Sequence, residues 1–279
     1  MKDRIVRILD IMAAHKSIKV NLLAEFLDVS NATLRKDLDQ LEKRGIVKRT
    51  HGYASLDGAD DTGKRMATNH LIKRKIAKAA AQIIEDGETI MLESGSCCAM
   101  FAEELAVSKK NITIITNSVF IANYISGKNI KIILLGGYFL PESQVLVGTI
   151  TIKCCEIFFS QKYFIGTDGF IPDYGFTGRD LMRTETSAEL FKHAKNIFVL
   201  TDAQKFKERG AYSLIPFGKV NGVFTDDSIA KETESILDKN NIRLYKVSSA
   251  EERIQWRQFP GQPPVLYTDK EEKYNEFLK

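Results

Sequence analysis

The stretch Val29-Ser30-Asn31-Ala32-Thr33-Leu34-Arg35-Lys36-Asp37-Leu38-Asp39-Gln40-Leu41-Glu42-Lys43-Arg44-Gly45 decides the reading of this chain. At about 100° per residue, Leu34, Leu38 and Leu41 share one side of a helix running from Asn31 to about Arg44. Ala32, Lys36, Gln40 and Lys43 lie opposite, with Thr33 and Arg35 flanking them. Ser30 is placed to cap the helix, because its hydroxyl can accept from a free backbone N–H of the first turn. Gly45 stands where a left-handed residue ends a helix. One face therefore packs. The other offers small, amide and cationic groups that can approach a duplex and reach base edges and phosphates.

Working outward, an earlier helix from about Lys2 to Ala14 carries Ile5, Ile8, Leu9 and Met12 as one apolar stripe. A short helix over Val20–Leu27 and a tight turn at Asp28-Val29-Ser30 follow. Downstream, Ile46–Thr50 and Tyr53–Leu56 read as two strands joined by His51-Gly52, a small basic wing. The order of helix, helix, capped turn, basic helix and basic hairpin is that of a winged helix-turn-helix that binds double-stranded DNA. Its candidate contacts are Ser30, Asn31, Thr33, Arg35, Lys36 and Gln40 on the helix, and Lys48, Arg49 and His51 on the wing.

Charge supports this. Residues 1–56 hold eleven basic and seven acidic side chains, which accounts for the whole formal excess of +4. A basic module beside a neutral remainder points to a polyanion partner for the first.

Residues 57–70 lack apolar periodicity and read as a linker. From residue 71 to about 250, short β-rich runs alternate with helical patterns. The runs are Thr89–Glu93, Ile112–Thr116, Ile130–Leu135, Tyr163–Gly166, Ile197–Thr201, Val220–Thr225 and Ile242–Val247. Helical patterns include Cys98–Leu105, Ser118–Ser126, Glu185–Ala194 and Ser228–Asp238. This predicts an α/β fold, a doubly wound, mostly parallel sheet whose strands are buried on both faces, as in Ile-Ile-Leu-Leu at 132–135. The tail 251–279 is irregular and proline-rich around Trp256 to Pro264. It either packs on the second domain, joins subunits or is disordered.

Open parallel sheets bind ligands beyond the carboxyl ends of their strands. Ser94-Gly95-Ser96-Cys97 follows the first run and opens a helix, an arrangement that suits an anion through backbone N–H groups, the helix dipole and serine hydroxyls. Asn117, Gly136, Gly137, Asp168, Gly169 and Lys205 follow later runs. Lys205 could supply a cation for a phosphate and Asp168 an acceptor for sugar hydroxyls. An alternative reading, a sugar-phosphate isomerase, would use Asp168, Glu185 and Lys205 as acid and base, but no paired constellation with specific spacing supports it.

Two motif sets carry a resemblance. Val29-Ser30-x-x-Thr33-Leu34-Arg35-Lys36-Asp37-Leu38-x-x-Leu41-Glu42-x-x-Gly45-x-x-x-Arg49-x-His51-Gly52 resembles the signature of the DeoR family of bacterial regulators. Gly87-Glu88-Thr89-Ile90 leading to Ser94-Gly95-Ser96, then Thr116-Asn117-Ser118, Gly136-Gly137, Gly148, Gly166-x-Asp168-Gly169, Asp202-x-x-Lys205-Phe206 and Thr225-Asp226 resemble its sensor domain, in order. The resemblance spans residues 1–247. It implies a sensor fold similar to ribose-5-phosphate isomerase, glucosamine-6-phosphate deaminase and CoA transferases, and a phosphorylated sugar or related metabolite as effector. Departures are Tyr53 in place of the wing's second glycine, Glu93 for a usual Asp, and Ser96 and Cys97 for threonines.

The expectation is thus a non-enzymatic transcription regulator, a repressor of a carbohydrate operon. It comprises a DNA-binding domain (1–56), a linker (57–70), an effector domain (71–250) and a tail (251–279), acting as a homodimer or homotetramer without cofactor or metal. Activation would fit the same residues. The paired cysteines Cys97-Cys98 and Cys154-Cys155 have no metal or disulfide spacing. No window is apolar enough to span a membrane, and Met1 to Arg4 lead into an amphipathic pattern instead of a signal sequence, so the expected location is the cytoplasm.

Overall fold

The computed structural model describes residues 2–15, 17–43, 45–56 and 62–249, with strand residues 255–257 and 265–267. The chain divides into two units, Met1–His70 with Ser248–Lys279, and Leu71–Val247.

In the first unit, α1 (Lys2–Ala14), β1 (Ser17–Lys19), α2 (Val20–Phe26), α3 (Asn31–Lys43), β2 (Lys48–Thr50), β3 (Tyr53–Ser55) and α4 (Thr62–Ala67) follow in order. Ile8, Leu9 and Met12 of α1, Leu23 of α2 and Leu34, Leu38 and Leu41 of α3 are at most 1% exposed and form its core. Ile5 lies at the margin of the expected stripe, half-buried, while Ile11 is buried. Both α2 and α3 end in the same way. Val29 N donates to Ala24 O (3.1 Å) and Asp28 N to Glu25 O (3.1 Å); Ile46 N donates to Leu41 O (2.9 Å) and Gly45 N to Glu42 O (2.9 Å). The pivots, Asp28 (φ 51°) and Gly45 (φ 69°), are left-handed, which satisfies the last carbonyls and turns the chain sharply.

The wing has three strands rather than the expected two: β3 is central, antiparallel to both β2 and β1. Its turn puts His51 (φ 49°) and Gly52 (φ 81°) both at positive φ, the backbone that a two-residue hairpin requires. The family's second glycine would fall on Tyr53, which is an ordinary strand residue.

The stretch 57–70 is only partly the featureless connector expected. Residues 57–61 and most of the tail lie outside the described residues. Thr62–Ala67 is helical, with Thr62, Gly63, Met66 and Ala67 buried. Its apolar side chains are too few to give a period.

The second unit begins with α5 (His70–Ala81), then β4 (Thr89–Leu92), α6 (Ser96–Ser108), β5 (Thr113–Thr116), α7 (Val119–Tyr124) and β6 (Lys131–Leu134). A hairpin, β7 (Tyr138–Leu140) and β8 (Val145–Val147), leads to α8 (Thr149–Cys155) and β9 (Ser160–Ile165). The chain continues with β10 (Gly169–Ile171), β11 (Gly175–Gly178), α9 (Leu181–Leu190), β12 (Ala194–Leu200), β13 (Tyr212–Ile215), β14 (Gly222–Asp226), α10 (Lys231–Lys239) and β15 (Arg243–Val247). In the tail, β16 (Gln255–Arg257) pairs antiparallel with β17 (Val265–Tyr267).

Seven strands form one sheet in the order β15-β14-β12-β9-β4-β5-β6, every pair parallel. The chain builds outward from β4 to β6, then returns to β9 on the other side of β4 and builds outward again. The order reverses between β4 and β9, which is where such sheets open a crevice at their carboxyl ends. Continuous burial of Ile90 to Leu92, Tyr163 to Ile165 and Ile197 to Leu200 reflects helices on both faces. The run 132–135 departs from that expectation: β6 is an edge strand, and Leu134 is 42% exposed. A separate antiparallel sheet, β10-β11-β13, lies outside the main one.

Candidate functional sites

The first unit presents α3 and the wing. The Ser30 hydroxyl accepts from Thr33 N at 3.2 Å and lies 2.9 Å from the Thr33 hydroxyl, so the expected cap is formed and engages both side chains. Asn31, Ala32, Arg35, Lys36, Gln40 and Lys43 are exposed, opposite the leucine stripe. On the wing Lys48 and His51 are exposed. Between α3 and the wing lies a groove of about 540 Å³ lined by Lys19, Asn21, Arg35, Thr50, His51 and Tyr53 among others. Lys19 reaches it from β1 with its ammonium 5.9 Å from the Tyr53 ring. Neither Lys19 nor Tyr53 was among the sequence-based candidates; the short strand that carries Lys19 gives no periodic signal.

Two ion pairs tie this module together, and the second turns a candidate contact inward. Asp37 lies within the leucine face, 2% exposed, where Arg4 of α1 meets it through Nε (2.5 Å to Oδ2) and a terminal nitrogen (3.2 Å to Oδ1). A buried carboxylate needs such a partner, and this pair ties α3 to α1. Arg49, expected at a phosphate, is half-buried and turned inward. Its Nε and a terminal nitrogen reach Glu42 Oε2 at 2.9 and 2.6 Å, its backbone N reaches Glu42 Oε1 at 3.0 Å, and Asp39 Oδ1 lies 2.5 Å away. These bonds, the side-chain ones foremost, hold Glu42 below the usual carboxylate range.

In the second unit the loops at the carboxyl ends of β4 and β9, where the strand order reverses, are joined by the chain's own groups. Glu93, 6% exposed, accepts from the Ser94 hydroxyl (2.7 Å), Gly95 N (2.7 Å) and Gly166 N (3.3 Å). Within the expected cradle Ser94-Gly95-Ser96-Cys97, the Ser94 hydroxyl and Gly95 N thus already donate to a carboxylate. Gly95 is also where the two halves touch, since a Cβ there would lie 3.3 Å from Gly166 Cα. Ser96 opens α6 and is half-buried. The Cys97 thiol is buried and pushed up to about 12, chiefly by burial, so it is neutral and a poor anion ligand.

Close to Cys97 are the charges of Lys73, Asp202 and Lys205. Lys73 of α5 is 5% exposed, with its ammonium 3.6 Å from Asp202 Oδ2. Lys205 is partly exposed, 3.1 Å from Glu208 Oε2. Lys73 was missed by sequence reasoning, which sought groups only after strands. A lysine on the apolar side of α5, three residues before Ile76 and four before Ala77, was the available signal.

The remaining candidates divide. Asn117 is buried; its Nδ2 donates to Leu146 O at 2.9 Å, while its Oδ1 has no partner among the described residues. Asp168 is half-buried and accepts from Arg179 N at 3.1 Å. Gly137 lets α8 approach, since a Cβ there would lie 1.9 Å from Thr151 Oγ1, whereas one on Gly136 would make only an ordinary contact with Cys154 Sγ at 3.7 Å. Gly169 is likewise a packing position, because a Cβ would meet Glu208 O at 2.6 Å and Arg209 Cα at 2.8 Å. These are backbone atoms that cannot swing away. Gly169→Ala is therefore expected to cost about 1–3 kcal/mol of stability, measured as a lowered thermal midpoint; an unchanged midpoint would show that the 208–209 segment yields. Glu185 is exposed on α9.

Among the described residues there is no cluster of three or more side chains suited to a metal, and all four cysteines are free. No helix among them is long and apolar enough to cross a membrane.

Comparison with known proteins agrees with both halves. The family model described as DeoR-like helix-turn-helix domain matches residues 4–58, and that described as DeoR C terminal sensor domain matches residues 68–227. An uncharacterized HTH-type transcriptional regulator FruR of Bacillus subtilis is 30% identical over 78% of this chain and 88% of that protein. The HTH-type transcriptional repressor GlcR of the same species is 29% identical over 87% and 95%. A lactose phosphotransferase system repressor of Staphylococcus epidermidis is 28% identical over 84% and 95%. All are named as regulators or repressors, which sets the isomerase reading aside.

Proposed function

We propose, from the premise that this chain belongs to the DeoR family of DNA-binding transcription regulators, that it represses a carbohydrate-metabolism operon and is released or retuned by a phosphorylated sugar. The observation that carries the DNA half is the division of α3. Leu34 and Leu38 are 0% exposed and Leu41 1%, while Arg35, Lys36, Gln40 and Lys43 face outward from a capped N-terminus. Such a helix enters a major groove, and the wing's Lys48 and His51 lie where the adjoining backbone would pass.

For the effector we place the phosphate at the start of α6, with the Ser96 hydroxyl, Lys73 and Lys205 as its cationic and hydroxyl partners. Ser94 and Gly95 contribute through Glu93, by holding the loop. Asp168 and Asn117, whose Oδ1 has no partner among the described residues, are the acceptors for sugar hydroxyls. The regulator acts in the cytoplasm as a homodimer or homotetramer on paired half-sites. A ligand switches it by binding two DNA-binding states unequally.

An electrophoretic shift with the region upstream of the chain's own operon, titrated with sugar phosphates, tests both halves. A retarded band that one sugar phosphate weakens or strengthens is expected; no band with any native promoter sinks the reading. Arg35→Ala and Lys36→Ala should each weaken binding by about 1–3 kcal/mol and flatten the dependence of log K on log salt by about one unit if they meet phosphate. Thermal midpoints should hold, because both side chains face away from the core. Unchanged affinity and slope in both would show that this face is not the one used.

A further inference from the structure

We infer that Arg49 is a positioning residue, not a phosphate contact: it clamps the wing to α3 and offsets one of the two carboxylate charges, Glu42 and Asp39, that would otherwise face the DNA. This rests on the DNA-binding reading above. Three observations carry it.

The first is direction. Strand alternation sends Lys48 and Thr50 to one side of β2 and Arg49 to the other, and the burial follows: exposed, half-buried, exposed. The second is the completeness of the clamp. Glu42 accepts from both the backbone and the side chain of Arg49, so it fixes where the strand sits as well as where the guanidinium points. The fork reaches Asp39, three residues earlier on α3, as well. A planar guanidinium can hold two carboxylates in this way; a lysine ammonium on its flexible stem cannot reproduce the fork. The third is location. Arg35, Glu42, Arg49 and His51 line the same groove of about 540 Å³ between helix and wing. Asp39 is exposed beside them. Left unpaired, these carboxylates would repel a phosphodiester in the groove. Paired, one of the two charges is offset and the remainder is shared across the fork, so less of the positive field of Arg35 and Lys19 is cancelled.

The two roles make opposite predictions. Glu42→Gln removes a negative charge near DNA, so electrostatics alone would tighten binding. Loss of the clamp weakens it. Arg49→Lys keeps the charge, so a phosphate contact would survive. The clamp would not.

The experiment measures operator or generic duplex affinity against salt for wild type, Arg49→Ala, Arg49→Lys and Glu42→Gln, with a thermal melt of each. Expected are dissociation constants raised by about tenfold in all three variants, with the salt slope unchanged. Tighter binding by Glu42→Gln, wild-type binding by Arg49→Lys, or a slope reduced by about 0.9 in Arg49→Ala would each overturn the proposal. If Arg49→Ala does not melt cooperatively, the charge-conserving Arg49→Lys decides. Absence of DNA binding by the wild type would instead overturn the DNA-binding reading itself.

Discussion

Leu38→Ala is expected to destabilise the N-terminal unit by about 2–5 kcal/mol, the range for truncating a fully buried leucine. Leu38 is 0% exposed at the centre of the face that α3 packs inward. The truncation removes apolar contact and leaves a cavity that the neighbours fill only in part. A domain of ordinary stability holds about 5–15 kcal/mol in total, so this one change takes a large share of the unit's margin. DNA affinity falls with the folded fraction, although no DNA-facing side chain has changed. Hydrogen exchange mass spectrometry checks it: peptides covering 34–41 should lose protection, while those covering 163–165 and 197–200 in the second unit keep theirs. Retained protection in α3 would show that its packing does not depend on Leu38.

Lys73→Ala should be the most damaging single change in the second unit. The ammonium and the Asp202 carboxylate are both buried, with side chains 6% and 5% exposed. Removing the cation strands Asp202, and breaking a buried pair costs about 3–5 kcal/mol. The double variant Lys73→Met/Asp202→Asn should recover most of that loss, because neither charge then lacks a partner. If Lys73 also meets the effector's phosphate, the double variant regains stability in urea but still binds operator DNA without responding to sugar phosphates. A stable double variant with a normal response would remove Lys73 from the effector site and leave it a structural role. Recovery of neither property would mean that the buried pair was not the source of the loss.

The sequence carried the main sheet well because parallel strands covered on both faces are unbroken apolar runs. Each of the seven expected runs overlaps one observed strand, from Thr89–Leu92 to Arg243–Val247. What escaped was short or nonlocal. β1 has three residues with Ile18 as its one apolar member, and β10 and β11 are built around Gly169, Gly175 and Gly178, where no alternation can show. Residues 62–67 are helical although the surrounding composition is that of a connector.

The sites divide on the same principle. Which side of α3 faces outward follows from spacing alone. That a carboxylate is tolerated at Asp37 on the packed side depends on Arg4, 33 residues away, and that Arg49 turns inward depends on Glu42, seven residues back on another element. Glu93 and Lys73 likewise acquire their surroundings only when β4, β9, α5 and the start of α6 come together. A reading of residues in series cannot see the Glu93 carboxylate that Ser94 and Gly95 already donate to.

That carboxylate has a kinetic meaning. Glu93 joins the loop after β4 to the loop after β9 and so fixes the two to one another, where the proposed effector would bind. A cup already formed asks little ordering of the visitor's surroundings. If the effector is a sugar phosphate, as proposed, its association should proceed in one fast phase, and differences in affinity between sugar phosphates should be set by how slowly each leaves.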